Sequence, residues 1–238
     1  GRACIMKREE GSLHMIRFTV GGKAITVFPS TAHSAPVIYL NTFADEGEHV
    51  QKALQDAGGA PCTLVTVSIS AWEHDMSPWA IPPISKNAAP CTGGADEHLR
   101  LLTEAILPKA ERTLSGEPVW RGLAGYSLAG LFAVYALYKT DLFARAASVS
   151  GSLWYPNFLE YARTQEMKRT PERLYFSLGD REQNTRNPYL KTVQENTQAL
   201  EAFYRSRGIR TIFQSNPGNH YANSAARTAA RLLWLLTD

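Results

Sequence analysis

Short apolar runs alternate along the chain with longer amphipathic segments, and turn residues separate the two kinds of segment. The apolar runs are rich in β-branched and aromatic residues and have the length of buried strands. They comprise Pro36 to Leu40, Cys62 to Ile69, Val119 to Ala124, Ala146 to Ser150, Leu174 to Leu178 and Arg210 to Gln214. Strands that alternate with helices favour a largely parallel sheet.

An earlier pair of segments predicts a different arrangement. Met15 to Val20 and Ala24 to Phe28 flank Gly21-Gly22, which predicts a β-hairpin and therefore an antiparallel edge of the same sheet. No repeat or low-complexity tract interrupts the 238 residues. We therefore expect a single α/β domain over residues 1–238.

The segments between the strands place apolar residues three and four positions apart, as amphipathic helices do. They are Glu97 to Thr113, Leu128 to Lys139, Tyr189 to Arg207 and Ser224 to Leu236. Pro108 lies inside the first of these helices and predicts a kink. The proline-rich stretch Ser77 to Pro90 predicts a long irregular loop, and such loops are commonly functional.

Charge and cysteine content exclude several function classes. The 25 basic and 22 acidic side chains leave a net charge of +3, and the basic residues are scattered, so nucleic-acid binding is not expected. The three cysteines have no C-x-x-C spacing, which indicates neither a disulfide framework nor a metal site and favours a reducing, cytoplasmic compartment. No stretch approaches 18 consecutive apolar residues, so no membrane span is expected.

A serine lies at the junction of a predicted strand and a predicted helix. Gly125 and Ala129 stand two positions before and after Ser127, where a nucleophile elbow leaves no room for larger side chains. Ala129 replaces the second glycine of the usual motif. The pattern predicts Ser127 as a nucleophile, and the alternative is a glycine-rich turn with an incidental serine.

A serine nucleophile needs a general base and an acid later in the chain. His220 follows the last predicted strand and is the only histidine C-terminal to Ser127, so it is the candidate base; the other five are expected at the surface or in local hydrogen bonds. The loop after Leu174 to Leu178 offers Asp180 and Glu182 as the acid. We favour Glu182, because Asp180 directly after the strand also suits a plain turn residue.

Two backbone N–H groups are expected to stabilise the oxyanion of an acyl-transfer reaction. One belongs to Leu128, directly after the nucleophile, and the other to the loop after Pro36 to Leu40, at Asn41 or Thr42. An ordinary turn at the end of the strand is the alternative interpretation of Asn41 and Thr42.

Several further segments match the motifs of a known family. They are Asp75-Met76-Ser77-Pro78-Trp79, Gly93-Gly94-Ala95-Asp96, Ser150-Gly151-Ser152-Leu153-Trp154-Tyr155 and Pro217-Gly218-Asn219-His220. At these residues the chain resembles the putative esterase family of α/β-hydrolases, which includes siderophore trilactone esterases, feruloyl esterases and S-formylglutathione hydrolases. The resemblance covers most of residues 36–236. It implies an α/β-hydrolase fold with helices on both faces of the sheet, catalytic Ser127 and His220, and Glu182 as the acid.

The chain departs from the family pattern at two places that concern the substrate. Members that act on iron-loaded siderophores tend to have arginines just before the motif at Asp75, where this chain has Trp72, Glu73 and His74. This difference weakens the expectation of an anionic ferric catecholate as the ligand. The usual L-D-G segment is Leu40-Asn41-Thr42 here, which indicates a change near the oxyanion hole.

We expect hydrolysis of a carboxylic ester through an acyl-enzyme on Ser127, without a metal or organic cofactor. The substrate is expected to be a siderophore-type lactone or another small ester. Trp154, Tyr126 and Asn41 are expected to line its pocket, although Trp154 suits packing against the sheet equally well. An acyltransferase with the same nucleophile and a non-catalytic binding module of the same fold are the alternatives.

Overall fold

A mixed sheet forms the centre of the computed structural model, which describes residues 4–6, 14–58 and 60–238. Its strands are β1 (Cys4–Met6), β2 (Met15–Val20), β3 (Lys23–Phe28), β4 (Val37–Phe43), β5 (Thr63–Ile69), β8 (Arg121–Tyr126), β9 (Arg145–Val149), β10 (Arg173–Gly179) and β11 (Arg210–Asn216). They lie in the order β1-β2-β3-β5-β4-β8-β9-β10-β11. The pairs from β5 to β11 are parallel, and those from β1 to β5 are antiparallel.

The predicted hairpin is present at the antiparallel side of the sheet. Val20 pairs with Lys23, so Gly21 and Gly22 form a two-residue turn with φ values of 56° and 76°. A tight turn that matches the twist of the strands needs positive φ at both central positions, which glycine adopts without steric cost. The two glycines therefore set the register of β2 against β3.

Helices cover both faces of the sheet, as the α/β-hydrolase fold requires. They are α1 (Gly47–Asp56), α2 (Trp72–Asp75), α3 (Ala95–Leu101), α4 (Leu107–Glu111), α5 (Leu128–Ala136), α6 (Phe158–Thr164), α7 (Val193–Ser206) and α8 (Ser224–Leu236). Alternate side chains of β4 serve the two faces. Val37 and Tyr39 pack in the core under α3, α5 and α7, whereas Ile38 and Leu40 pack in the core under α1 and α8.

The helix predicted around Pro108 has a widened turn in its middle. α3 continues into a π-helical turn, Leu102–Ile106, and α4 begins immediately afterwards with Pro108 in its first turn. Proline has no N–H to donate and its ring excludes the carbonyl four residues earlier, so a widened turn before it relieves the clash. The irregularity predicted at Pro108 thus takes the form of a π-helical turn just before the proline.

The sequence pattern missed α1, α2 and α6 and placed the strand ends within a few residues of the observed ones. It also predicted Ser77 to Pro90 as irregular, whereas this segment contains β6 (Ala80–Ile81), which pairs with β7 (Cys91–Thr92). Two-residue strands leave almost no periodic signal. Within the described residues, no helix is both long and apolar enough to cross a lipid bilayer.

Candidate active site

Ser127 occupies a strained turn between β8 and α5, at the carboxyl end of the parallel strands. Its φ of 61° and ψ of −123° lie outside the regions that non-glycine residues ordinarily adopt. A Cβ atom at Gly125 would overlap the carbonyl and the Cβ of Ala129. Gly125 therefore supplies the space for the close approach, and a methyl group at position 129 is accommodated.

Two hydrogen bonds join Ser127, His220 and Glu182. The Nε2 atom of His220 lies 3.0 Å from Oγ of Ser127, and its Nδ1 atom lies 2.7 Å from Oε1 of Glu182. The loop between β11 and α8 carries His220, and the loop after β10 carries Glu182. The structure thus brings together the three residues that the sequence proposed as nucleophile, base and acid.

The carboxylate of Glu182 is enclosed by hydrogen-bond donors. Its Oε2 atom accepts bonds from Oγ of Ser150 at 2.6 Å and from the backbone N–H of Gly179 at 2.5 Å. Burial raises the pKa of Glu182, but the hydrogen bonds from His220, Ser150 and Gly179 together lower it by more. The pKa of Glu182 is therefore below its ordinary value. Glu182 is therefore ionised at neutral pH.

Asp180, the alternative acid, has a different contact. It is exposed, and its Oδ1 atom accepts a hydrogen bond from the backbone N–H of Gly218 at 3.0 Å. Asp180 therefore supports the loop that carries His220, and it is Glu182 that contacts the imidazole.

Arg227 of α8 joins the elements around the site, and sequence reasoning missed it. Its side chain is 6% exposed, its Nη2 atom lies 3.5 Å from Oε2 of Glu182, and it also donates to Oγ of Ser150. Its Nη1 atom donates to the hydroxyl of Tyr126 at 3.1 Å and to the carbonyl of Asn219 at 3.4 Å. A signal was present, because Arg227 falls on the buried face of an amphipathic helix, where an arginine needs partners.

The structure corrects the expectation for Tyr126. It was predicted to line the substrate pocket, but it is absent from the wall of the cavity that contains Ser127. Its hydroxyl instead donates to the backbone carbonyl of His220 and accepts from Arg227. Side chains alternate along a strand, so the residue before the nucleophile faces the His220 loop.

A cavity of about 440 Å³ opens beside Ser127 and His220. Much of its wall is apolar or aromatic. Trp154 is part of this wall, which agrees with the interpretation of Trp154 as a pocket residue. The apolar residues that the proline-rich segment, β7 and the regions after β9 and around the start of α7 contribute to this wall are Ile81, Pro82, Ile84, Ala88, Ala89, Cys91, Trp154, Leu190 and Val193. Glu73 and Glu182 are the acidic residues of the wall, and no lysine or arginine is among its described residues.

Asn41 also differs from its predicted place in the substrate pocket. It is 2% exposed, and its Oδ1 atom accepts a hydrogen bond from Nε2 of His98 at 2.8 Å. His98 in turn lies 2.6 Å from Nζ of Lys23, which pairs with Asp75 at 3.2 Å. Burial, and then the charge of Lys23, lower the pKa of His98 to about 3, so this imidazole is neutral. Asn41 belongs to a buried polar chain behind the site.

The two predicted oxyanion positions lie in different surroundings. Leu128 lines the cavity and begins α5, so its backbone N–H belongs to the turn that has no acceptor within the helix. Thr42 instead lines a separate cavity of about 870 Å³ between the hairpin and α1, and its hydroxyl donates to the carbonyl of Ala44 at 3.0 Å. The side chain of Thr42 thus faces away from Ser127.

Comparison with known proteins identifies relatives across most of the chain. Residues 34–224 match the family described as "Putative esterase". The uncharacterised protein YbbA of Bacillus subtilis is 22% identical over 201 residues, which are 79% of this chain and 80% of YbbA.

Solved structures show a similar fold. The siderophore hydrolase EstA of Aspergillus nidulans superposes with a TM-score of 0.76 at 18% identity and 93% coverage of both chains. An IroE-like serine hydrolase of Shewanella oneidensis gives a TM-score of 0.75 at 19% identity, covering 90% of this chain and 75% of its own. These likenesses show the α/β-hydrolase fold.

Proposed function

Because the chain belongs to the putative esterase family and is an ester hydrolase, we propose that it cleaves carboxylic esters through an acyl-enzyme on Ser127. The observation that carries the proposal is the pair of hydrogen bonds that join Ser127 to His220 at 3.0 Å and His220 to Glu182 at 2.7 Å. A serine hydroxyl is a weak nucleophile at neutral pH, and an adjacent base activates it.

In the first step, Oγ of Ser127 attacks the ester carbonyl while Nε2 of His220 accepts the hydroxyl proton. Collapse of the tetrahedral intermediate breaks the ester C–O bond, and His220 passes the proton to the departing alcohol. A water molecule then attacks the acyl-enzyme, with His220 again taking and returning a proton. The products are a carboxylic acid, an alcohol and the free enzyme.

Glu182 holds His220 in the tautomer that this mechanism needs. Its ionised carboxylate accepts the Nδ1–H of the imidazole, so Nε2 is left free to accept the proton of Ser127. The same carboxylate stabilises the imidazolium that forms in the transition state. Ser150 and Gly179 fix the second carboxylate oxygen, which restricts the direction of the first.

The developing oxyanion would be stabilised by backbone N–H groups. The N–H of Leu128 at the start of α5 is one donor, and the positive end of the helix dipole favours negative charge there. The second donor is assigned to the backbone at the end of β4, near Thr42, since this strand lies beside β8 in the sheet. Next to Thr42 in β4, the side chain of Asn41 is hydrogen-bonded to His98.

The substrate is a small ester that fits the cavity beside Ser127. EstA of Aspergillus nidulans is a siderophore hydrolase, so a siderophore-type lactone is one class that the proposal includes. Release of the free acid in the presence of competing alcohols and amines would distinguish hydrolysis from acyl transfer, which would use the same nucleophile.

Labelling with a fluorophosphonate probe tests the nucleophile. The folded protein should incorporate one probe at Ser127, identified by peptide mass spectrometry, and S127A should incorporate none and lose about 10⁶-fold in kcat. Ser152 also lines the cavity, so S152A is a matched control that should still be labelled. An unlabelled Ser127 in correctly folded protein would remove the acyl-enzyme from the mechanism.

A further inference from the structure

One carboxylate in the cavity has no part in the proposed reaction. Glu73 lies in α2, is half-buried and lines the same cavity as Ser127. The other ionisable side chains of this helix have polar partners, since Asp75 pairs with Lys23 and His74 contacts Thr92 at 2.6 Å. Glu73 forms no ion pair in the described part of the chain.

The negative charge of Glu182, the second carboxylate of the wall, is balanced by neighbouring groups. Glu182 is bonded to His220, Ser150 and Gly179, and the guanidinium of Arg227 lies 3.5 Å from it. The wall as described has no lysine or arginine that could neutralise Glu73. Among the described residues, the wall therefore has a net negative charge that comes from Glu73.

The charge of Glu73 acts inside the cavity. Cys91 lies in the same wall, and burial raises the pKa of its thiol; a hydrogen bond with Tyr155 lowers it, and the charge of Glu73 raises it again. The carboxylate is therefore close enough to Cys91 to affect its ionisation. A ligand that fills this space would experience the same field.

Aromatic rings stand in the same wall as this charge. Trp72 adjoins Glu73 and packs edge-on against Phe43 at a centroid distance of 5.5 Å, which holds its orientation. Trp154 and Tyr221 also line the cavity, and Tyr221 is 82% exposed beside His220. Aromatic faces attract organic cations, and a neighbouring carboxylate adds to that attraction.

We propose that the cavity selects esters that carry an ammonium group, with Glu73 as the specificity-determining residue. The proposal rests on the proposed function, since Ser127 attacks the ester carbonyl while the ammonium group lies against Glu73 and Trp72. Anionic esters are disfavoured, because the described residues of the wall include no lysine or arginine and present one opposing carboxylate.

Two thioesters of the same shape test the proposal. Acetylthiocholine carries a quaternary ammonium group, and 3,3-dimethylbutyl thioacetate has a carbon atom in its place. We expect kcat/KM of the wild-type protein to be about tenfold higher for the cationic thioester. E73Q keeps the size of the side chain and removes its charge, so the ratio should fall to about twofold, which is the preference that the aromatic rings retain.

Glu97 provides the matched control, because it is exposed, does not line the cavity and lies 3.9 Å from His74. E97Q removes the same charge from the neighbouring helix and should retain the wild-type ratio. If E97Q lowers the ratio as much as E73Q does, the preference reflects the field of the whole surface, and the assignment to Glu73 is overturned.

Protection against labelling gives a second measurement that needs no turnover. Tetramethylammonium should slow fluorophosphonate labelling of Ser127 in the wild-type protein at several-fold lower concentration than in E73Q. Equal rates for the two thioesters, or no protection, would overturn the selection of cations and leave the serine mechanism standing. Absence of labelling without any competitor would instead overturn the serine mechanism itself.

Discussion

The two walls of the cavity beside Ser127 are built in different ways. Behind one wall, charged and polar side chains from the end of β8, the residue after β9, α8 and two loops form a continuous hydrogen-bonded group around Glu182 and His220. On the other side, the proline-rich segment contributes mainly apolar side chains and few polar contacts. Geometry is thus fixed where a proton must move, and shape is adaptable where a substrate is recognised.

The proline-rich wall is attached at a few points. Trp79 donates through Nε1 to the carbonyl of Pro156 at 3.1 Å, and its own carbonyl accepts from the hydroxyl of Tyr155 at 2.5 Å. Farther along, the side chain of Asn187 donates to the carbonyl of Ile84 at 2.9 Å. Substitutions between these points should alter substrate fit with little effect on the reaction centre.

Among substitutions that leave the nucleophile in place, the largest effect is expected from E182Q. The amide keeps the size of the side chain, but it cannot stabilise the imidazolium of His220, so kcat should fall about 10⁴-fold. D180N alters the exposed neighbour that contacts Gly218 and should change kcat far less. Steady-state kinetics with a p-nitrophenyl ester measures both, and a similar loss in the two variants would show that Glu182 has no special role.

An intermediate effect is expected from R227M, which removes the buried cation beside Glu182. Because the carboxylate and the His220 loop lose a shared support, kcat should fall about 10² -fold with KM nearly unchanged. The free energy of unfolding should decrease by about 3 kcal/mol, since a buried charge loses its partner. R227K keeps the charge and should recover part of the activity.

Arg231 separates the positioning role of Arg227 from a purely structural one. It is also a buried arginine of α8, but its side chain donates to Gln214 and Asn216 of β11, whereas that of Arg227 donates to Ser150 and Tyr126. R231M should lose stability to a similar extent and retain kcat. If R231M and R227M lose kcat equally at a temperature where both are folded, Arg227 acts only on stability.

The smallest effect is expected from I84A in the proline-rich wall. Ile84 lines the cavity and is half-buried, so its truncation removes apolar contact with a long acyl chain. We expect kcat/KM to fall about three- to tenfold for hexanoate esters and to stay unchanged for acetate esters. V119A truncates an exposed side chain and should behave as the wild type. A large loss of kcat for acetate would contradict the contrast between the walls.

The sequence predicted the order of most elements and brought the right residue types to one edge of the sheet. Strand periodicity and the Gly125-x-Ser127 turn are local patterns, so they can be recognised without the fold. Short elements were missed because α2 and β6 are too brief to show a period. The preference for Glu182 over Asp180 rested on the turn-like position of Asp180 and on family likeness, and only the distances distinguish the two contacts.

Errors arose where a side chain's direction depends on its neighbours. Asn41 and Tyr126 stand next to residues of the site along the chain, yet the pleat of each strand turns them toward His98 and the His220 loop. Arg227 lies 100 residues beyond Ser127, and nothing in the spacing of the two shows that they share an environment.

By itself, the sequence determined the fold class, the esterase family and the presence of a serine, a histidine and an acid in the order that the fold requires. Those features depend on local periodicity and on small residues at defined positions. Tertiary structure alone decided that Arg227 supports the acid and that the side chains of Asn41 and Thr42 face away from the cavity. It also decided that Glu73 is without a cationic partner among the described residues of the cavity wall. Charge balance in a cavity depends on distances between residues far apart in the chain, which no local pattern contains.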